Sequence, residues 1–68
     1  MVNKQLLIAK LAERGFSQSS YCKHKGINKN TFNAKVNGHS SFDTEEVKEI
    51  CEDLGIVDNS MKVIIFLS

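Results

Sequence analysis

The chain contains no proline and no tryptophan. Breaks between helices therefore fall to its four glycines and to side chains that cap helix ends. No apolar run is long enough to span a bilayer, and the N-terminus lacks the apolar stretch of a signal peptide. A cytoplasmic location with no membrane partner is expected. Catalytic machinery is equally absent. There is no glycine-rich phosphate loop, no nucleophile with an identifiable base, and no prospect of a pocket-sized core in 68 residues. These absences argue against an enzyme and against a bound cofactor or small-molecule ligand. Cysteine is scarce, with only Cys22 and Cys51. Together with His24 and His39 they match no zinc-ligand spacing. Each sits at an apolar helix position, which reads as a small buried hydrophobe rather than a metal ligand or half of a disulfide.

Acid is nearly missing from the first half. Residues 1–38 hold seven basic residues (Lys4, Lys10, Arg14, Lys23, Lys25, Lys29, Lys35) against Glu13 alone, a net +6. Residues 39–68 hold Lys48 and Lys62 against seven acids (Asp43, Glu45, Glu46, Glu49, Glu52, Asp53, Asp58), a net −5. The overall charge of +1 conceals this division. A molecule with one basic and one acidic end is oriented as it approaches a polyanion. A chain of 68 residues makes one domain. It buries only about 60% of its unfolded surface, so its stability margin is thin.

Asn3 caps a first helix over about Lys4 to Arg14, ended by Gly15. Leu7, Ile8, Leu11 and Ala12 mark its apolar face, with Lys4, Lys10, Glu13 and Arg14 toward solvent. Further on, Asp43 and Glu46 form a capping box. In the helix they open, Val47, Ile50, Cys51 and Leu54 make an inward stripe, Glu45, Glu49, Glu52 and Asp53 point out, and Gly55 closes. An apolar residue before each cap is placed to pack on the fourth helical residue in four successive pairs: Val2 with Leu7, Phe16 with Tyr21, Ile27 with Phe32, and Phe42 with Val47. After Asp58 the pattern is ambiguous. Met61, Val63, Ile64, Ile65, Phe66 and Leu67 form an almost continuous apolar run. It suits a short fifth helix capped by Asp58, or a strand showing Met61, Val63, Ile65 and Leu67 on one face. Either leaves more apolar surface than one face of a small bundle covers. Met61, Val63, Ile65, Phe66 and Leu67 are therefore candidates for a dimer surface, the alternative being that they close the core.

Between these segments lies the stretch around which the chain is organised, SQSSYCKHKGINKNTFNAKVNG, from Ser17 to Gly38. Ser17 caps a short helix with Tyr21 and Cys22 inward, Gly26 turns the chain, and Ile27 plugs the turn into the core. Asn28 caps a second short helix through about Asn37, and Gly38 ends it. Phe32 and Val36 share its buried face. The remaining positions, Lys29, Asn30, Thr31, Asn33, Lys35 and Asn37, include no acid. They are rich in amides and lysines, the groups that bond base edges and phosphates.

In register, Gln18, Cys22, Gly26, Ile27, Asn28, Thr31, Phe32 and the closing Asn37-Gly38 resemble the helix-turn-helix of the phage Cro and repressor superfamily, the XRE family. The resemblance extends from about Leu6 to Leu67. It implies an all-α, lambda-repressor-like bundle of five short helices, a single domain over residues 1–68 with the second and third helices as the helix-turn-helix. It also implies sequence-specific binding of duplex DNA to regulate transcription, as a Cro-like repressor of a phage or mobile element, with the third helix in the major groove. On that reading Lys29, Asn30, Asn33 and Ala34 read base edges. Ser17, Gln18, Lys23, Asn28, Thr31, Lys35, Asn37, Gly38, His39 and Ser40 contact phosphates, and Gln18 also buttresses the third helix. A homodimer on a palindromic operator is expected. Lys25 and Lys35 depart from the family pattern, and the stem of Lys25 is expected to cover the core edge while its ammonium reaches water. The alternative is a protein-binding module, an antirepressor or partner subunit, that uses the same fold through its acidic, apolar C-terminal half. The basic excess on the first half favours DNA.

Overall fold

Each helix begins where a side chain takes up otherwise unpaired backbone N–H groups. The Asn3 side-chain Oδ1 accepts from the Leu6 N–H at 3.1 Å. Ser17 accepts from the Ser20 N–H at 3.1 Å while the Ser20 hydroxyl accepts from the Ser17 N–H at 2.8 Å, so a serine completes a capping box usually closed by Glu or Gln. Asn28 accepts from both Asn30 and Thr31. Asp43 and Glu46 close their box reciprocally at 2.8 and 2.9 Å. The Asp58 carboxylate accepts from the Ser60 N–H at 2.8 Å. The resulting computed structural model describes residues 2–66 and contains α1 (Lys4–Glu13), α2 (Gln18–Lys25), α3 (Lys29–Val36), α4 (Thr44–Leu54) and α5 (Asn59–Phe66). It is all-helical, with no strand among the described residues. None of these helices is long and apolar enough to cross a membrane.

The core draws on every helix. Leu7 and Leu11 of α1 meet Tyr21 and Cys22 of α2, Phe32 and Val36 of α3, Ile50, Cys51 and Leu54 of α4, and Ile65 and Phe66 of α5, with Ile56 from the loop between α4 and α5. Through it runs a continuous string of rings. Phe16 abuts Tyr21 with centroids 5.5 Å apart, Tyr21 abuts Phe32 at 5.8 Å, Phe32 abuts Phe42 at 5.7 Å, and Phe42 abuts Phe66 at 5.6 Å. These are all the aromatic residues of the chain. The string crosses α2, α3 and α5 and two loops, so these segments share one packing unit.

Two sequence expectations change here, and one left open is resolved. The apolar face of α1 is narrower than its spacing implied: Ile8 and Ala12 are exposed, because α5 and α2 close on the line through Leu7 and Leu11. The run after Asp58 is a helix, not a strand. Met61, Ile65 and Phe66 turn inward at helical spacing while Val63 stays half exposed. Ile65 and Phe66 are therefore core residues and not a dimer surface. The Asn3 N–H donates to the Ile65 carbonyl at 2.6 Å and ties α5 to the start of α1. Met61 is half-buried, and Leu67 lies outside the described residues. Among the described residues, the large apolar side chains that do reach solvent are Ile8, Val57, Val63 and Ile64.

Two glycines close helices in the left-handed region, Gly26 at φ +71° and Gly55 at φ +68°. They differ in surroundings. A Cβ on Gly26 meets open space, whereas one on Gly55 runs into the Arg14 guanidinium. Arg14 does not simply face solvent. Its Nε donates to the Leu54 carbonyl at 3.3 Å, placing a cation at the C-terminal end of α4 where the helix dipole favours it. Gly26→Ala is expected to cost about 1 kcal/mol from backbone strain alone. Gly55→Ala is expected to cost more, since Arg14 must also release Leu54. Urea unfolding of the two variants checks the order; equal midpoints would contradict it.

Candidate nucleic-acid interface

The polar face of α3 is set by the burial of Phe32 and Val36. Opposite them, Asn30, Asn33, Ala34 and the C-cap Asn37 recur at i, i+3, i+4 and i+7 and form one stripe along the helix. The three asparagines are exposed and Ala34 is half-buried between them. Lys29 stands one turn before Asn33, also exposed. Neither α2 nor α3 carries an acid in its first turn, whereas α4 carries Glu45 and Glu46 there. Lys29 thus occupies the positive end of α3, a position that a helix on its own disfavours and an approaching polyanion rewards.

The amides on this face are oriented. The Asn28 carbonyl oxygen is engaged by the cap, which leaves its NH2 to donate outward. The Asn37 carbonyl oxygen accepts from Lys4 Nζ at 2.9 Å, which turns its NH2 away from that bond. Thr31 is exposed, Gln18 is half-buried, and among the described residues no hydrogen bond joins the Gln18 side chain to α3. Lys23 is exposed and has no ion pair among the described residues.

Three expected phosphate contacts are already committed inside the fold. The Ser17 hydroxyl is engaged with Ser20. The first N–H groups of the loop after α3 turn back on it: Gly38 donates to the Lys35 carbonyl at 3.2 Å, and His39 and Ser40 donate to the Ala34 carbonyl at 2.8 and 3.3 Å. His39 and Ser40 keep exposed side chains, but Gly38 has none to offer. Lys35 is paired with Glu46 and lies over the Phe42 ring, its side chain only 18% exposed. It holds α3 to the start of α4 rather than reaching outward.

Lys25 is committed in the same way. Its ammonium lies 3.0 Å from Asp53 and 3.1 Å from Glu49 and does not simply reach water. Asp53 also accepts from the Tyr21 hydroxyl at 2.7 Å. Burial alone would raise the Asp53 carboxyl, but the bonds from Tyr21 and Lys25 outweigh it and hold that group below its usual range. Lys25 is raised, chiefly by its bonds to Asp53 and Glu49. Burial, followed by the bond to Asp53, pushes the Tyr21 phenol well above the usual tyrosine range. Burial likewise pushes the Cys22 and Cys51 thiols up, in keeping with their place in the core. Among the described residues no cluster of His, Cys, Asp or Glu is arranged to hold a metal ion.

The charge division along the chain is thus partly cancelled in space. Glu46, Glu49 and Asp53 of α4 fold back on Lys25 and Lys35. Conversely, the fold brings Lys4 to the end of α3, which no local pattern announced because residues 4 and 37 meet only through tertiary packing. Compared with family models, curated proteins and solved structures, the chain matches none.

Proposed function

We propose that this chain is a sequence-specific duplex-DNA-binding regulator of transcription in which α2 and α3 act as a helix-turn-helix and α3 enters the major groove. The observation that carries this reading is the acid-free stripe of exposed Asn30, Asn33 and Asn37 around half-buried Ala34, with Lys29 at its leading end. Asparagine offers a donor and an acceptor matched to adenine, lysine suits guanine, and a small apolar residue accepts a thymine methyl. Asn28, Thr31, Asn37 and Lys23, with the side chains of Gln18, His39 and Ser40, are the remaining phosphate candidates. The resemblance to Cro and repressor proteins supports a repressor of that type from a phage or mobile element. A second copy is expected on DNA, since one such module makes a small interface and paired half-sites lie about one turn apart. Its contact surface would use Val63 and Met61, with Val57 beside them on the chain.

Selection from random duplexes, read by fluorescence anisotropy at several salt concentrations, tests the reading. Enrichment of a palindrome with affinity falling steeply as salt rises is the expected result. Absence of binding at low salt would reject it. Asn33→Ala is expected to lose roughly 1–3 kcal/mol at one base position and to relax preference there. Equal weakening on every sequence would make Asn33 a phosphate contact instead. One observation favours a second reading, a module that binds a protein partner: Val57 is 88% exposed and sits between the acidic α4 and α5. Failure on DNA would direct the search to that surface.

A further inference from the structure

We infer that Lys4 of α1, with Asn37 at the end of α3, forms a two-donor site for a DNA backbone phosphate. The inference rests on the DNA-binding reading above and adds to it a contact from a third helix. Lys4 opens α1, whose first turn has no acid, so its charge opposes the dipole of its own helix. Its ammonium instead lies 2.9 Å from Asn37 Oδ1, at the C-terminal end of α3. Asn37 continues the stripe of Asn30 and Asn33, so the cation is delivered to the edge of the face that would read DNA. Both side chains are exposed, and Lys4 has no ion pair among the described residues. The contrast with Lys25 and Lys35 is chemical: those ammoniums meet carboxylates, while this one meets a neutral amide oxygen, with no carboxylate paired to it among the described residues. Fixing Oδ1 on Lys4 leaves the Asn37 NH2 as a donor beside the ammonium. A cation and an adjacent N–H donor suit a single anionic oxygen, and a phosphodiester passing the end of α3 supplies one.

The test uses the duplex selected by the intact chain and compares Lys4→Met, Lys4→Arg and Asn37→Asp across a salt series. Lys4→Met is expected to weaken binding to all sequences equally, by roughly eightfold at about 0.1 M salt, and to make the slope of log affinity against log salt shallower by about 0.9. Lys4→Arg is expected to keep the slope. Asn37→Asp retains an acceptor for Lys4 but replaces the outward donor with negative charge, so it is expected to lower the slope as well. If Lys4 serves only to complement the end of α3, Asn37→Asp tightens that bond and neither it nor Lys4→Met moves the slope, which overturns the assignment. Melting of each variant by circular dichroism keeps a folding loss from imitating the effect. Failure of the unsubstituted chain to bind any duplex overturns the DNA reading and this site together, whereas binding with an unchanged slope in Lys4→Met overturns this site alone.

Discussion

Phe32→Ala is expected to remove a large share of the chain's stability and to lower its melting midpoint steeply. Phe32 is 2% exposed and stands third of five rings in the aromatic string, touching Tyr21 on one side and Phe42 on the other. Truncation removes both ring contacts and opens a cavity that the short helices cannot close without giving up their caps. Such changes cost about 3–5 kcal/mol in well-packed cores. A domain of 68 residues has only about 3–10 kcal/mol to lose. Far-ultraviolet circular dichroism against temperature and urea checks the prediction. Phe32→Leu should retain a cooperative transition at a lower midpoint. A native-like melt for Phe32→Ala would mean that the string does not bear on stability.

Raising the pH beyond about 10 is expected to unfold the chain in step with ionisation of its only tyrosine. The Tyr21 side chain is fully buried and donates its proton to Asp53 at 2.7 Å. A phenolate there would face the Asp53 carboxylate with no donor between them. Burial and that neighbour raise the folded pKa, so the stabilisation is fully present below the unfolded value near 10 and is lost as pH rises toward the folded one. The loss is about 1.4 kcal/mol for each pH unit within that window. Lys25 adds loss in the same direction, because its folded pKa is also raised and its partners Asp53 and Glu49 are left behind when it neutralises. With no tryptophan in the chain, tyrosinate absorbance reports Tyr21 alone. Its rise and the loss of helical circular dichroism should coincide and be cooperative. Ionisation at an ordinary tyrosine pKa with the helices intact would show that the Tyr21–Asp53 bond is not maintained in solution.

Helix starts were legible in the sequence because a cap is a local event. Asn3, Ser17, Asn28 and Asp43 each accept an N–H two or three residues ahead, so composition within one turn suffices to find them. The stripe from Asn30 to Asn37 was legible for the same reason: once Phe32 and Val36 are recognised as buried, helical geometry places the rest. The paired residues were not legible. The Lys4 contact with Asn37 spans 33 positions, Tyr21 to Asp53 spans 32, and Arg14 to Leu54 spans 40. No periodicity within one helix encodes which distant carboxylate an ammonium will meet.

The same limit explains the C-terminal helix. Asp58 and the apolar run announce a buried element, but helix spacing alone does not say which residues of the run face inward. That depends on the angle at which α5 docks on α1, and the bond from the Asn3 N–H to Ile65 sets Ile65 and Phe66 in the core and leaves Val63 half exposed. Local hydrogen bonding and the helical repeat thus determined the first four helices and the polar face of α3 from sequence alone, whereas the choice of helix over strand after Asp58 was left to the packing of that run. Tertiary packing decided which charges remain unpaired on that face, because whether a lysine stays exposed or meets a carboxylate depends on which helix folds against it.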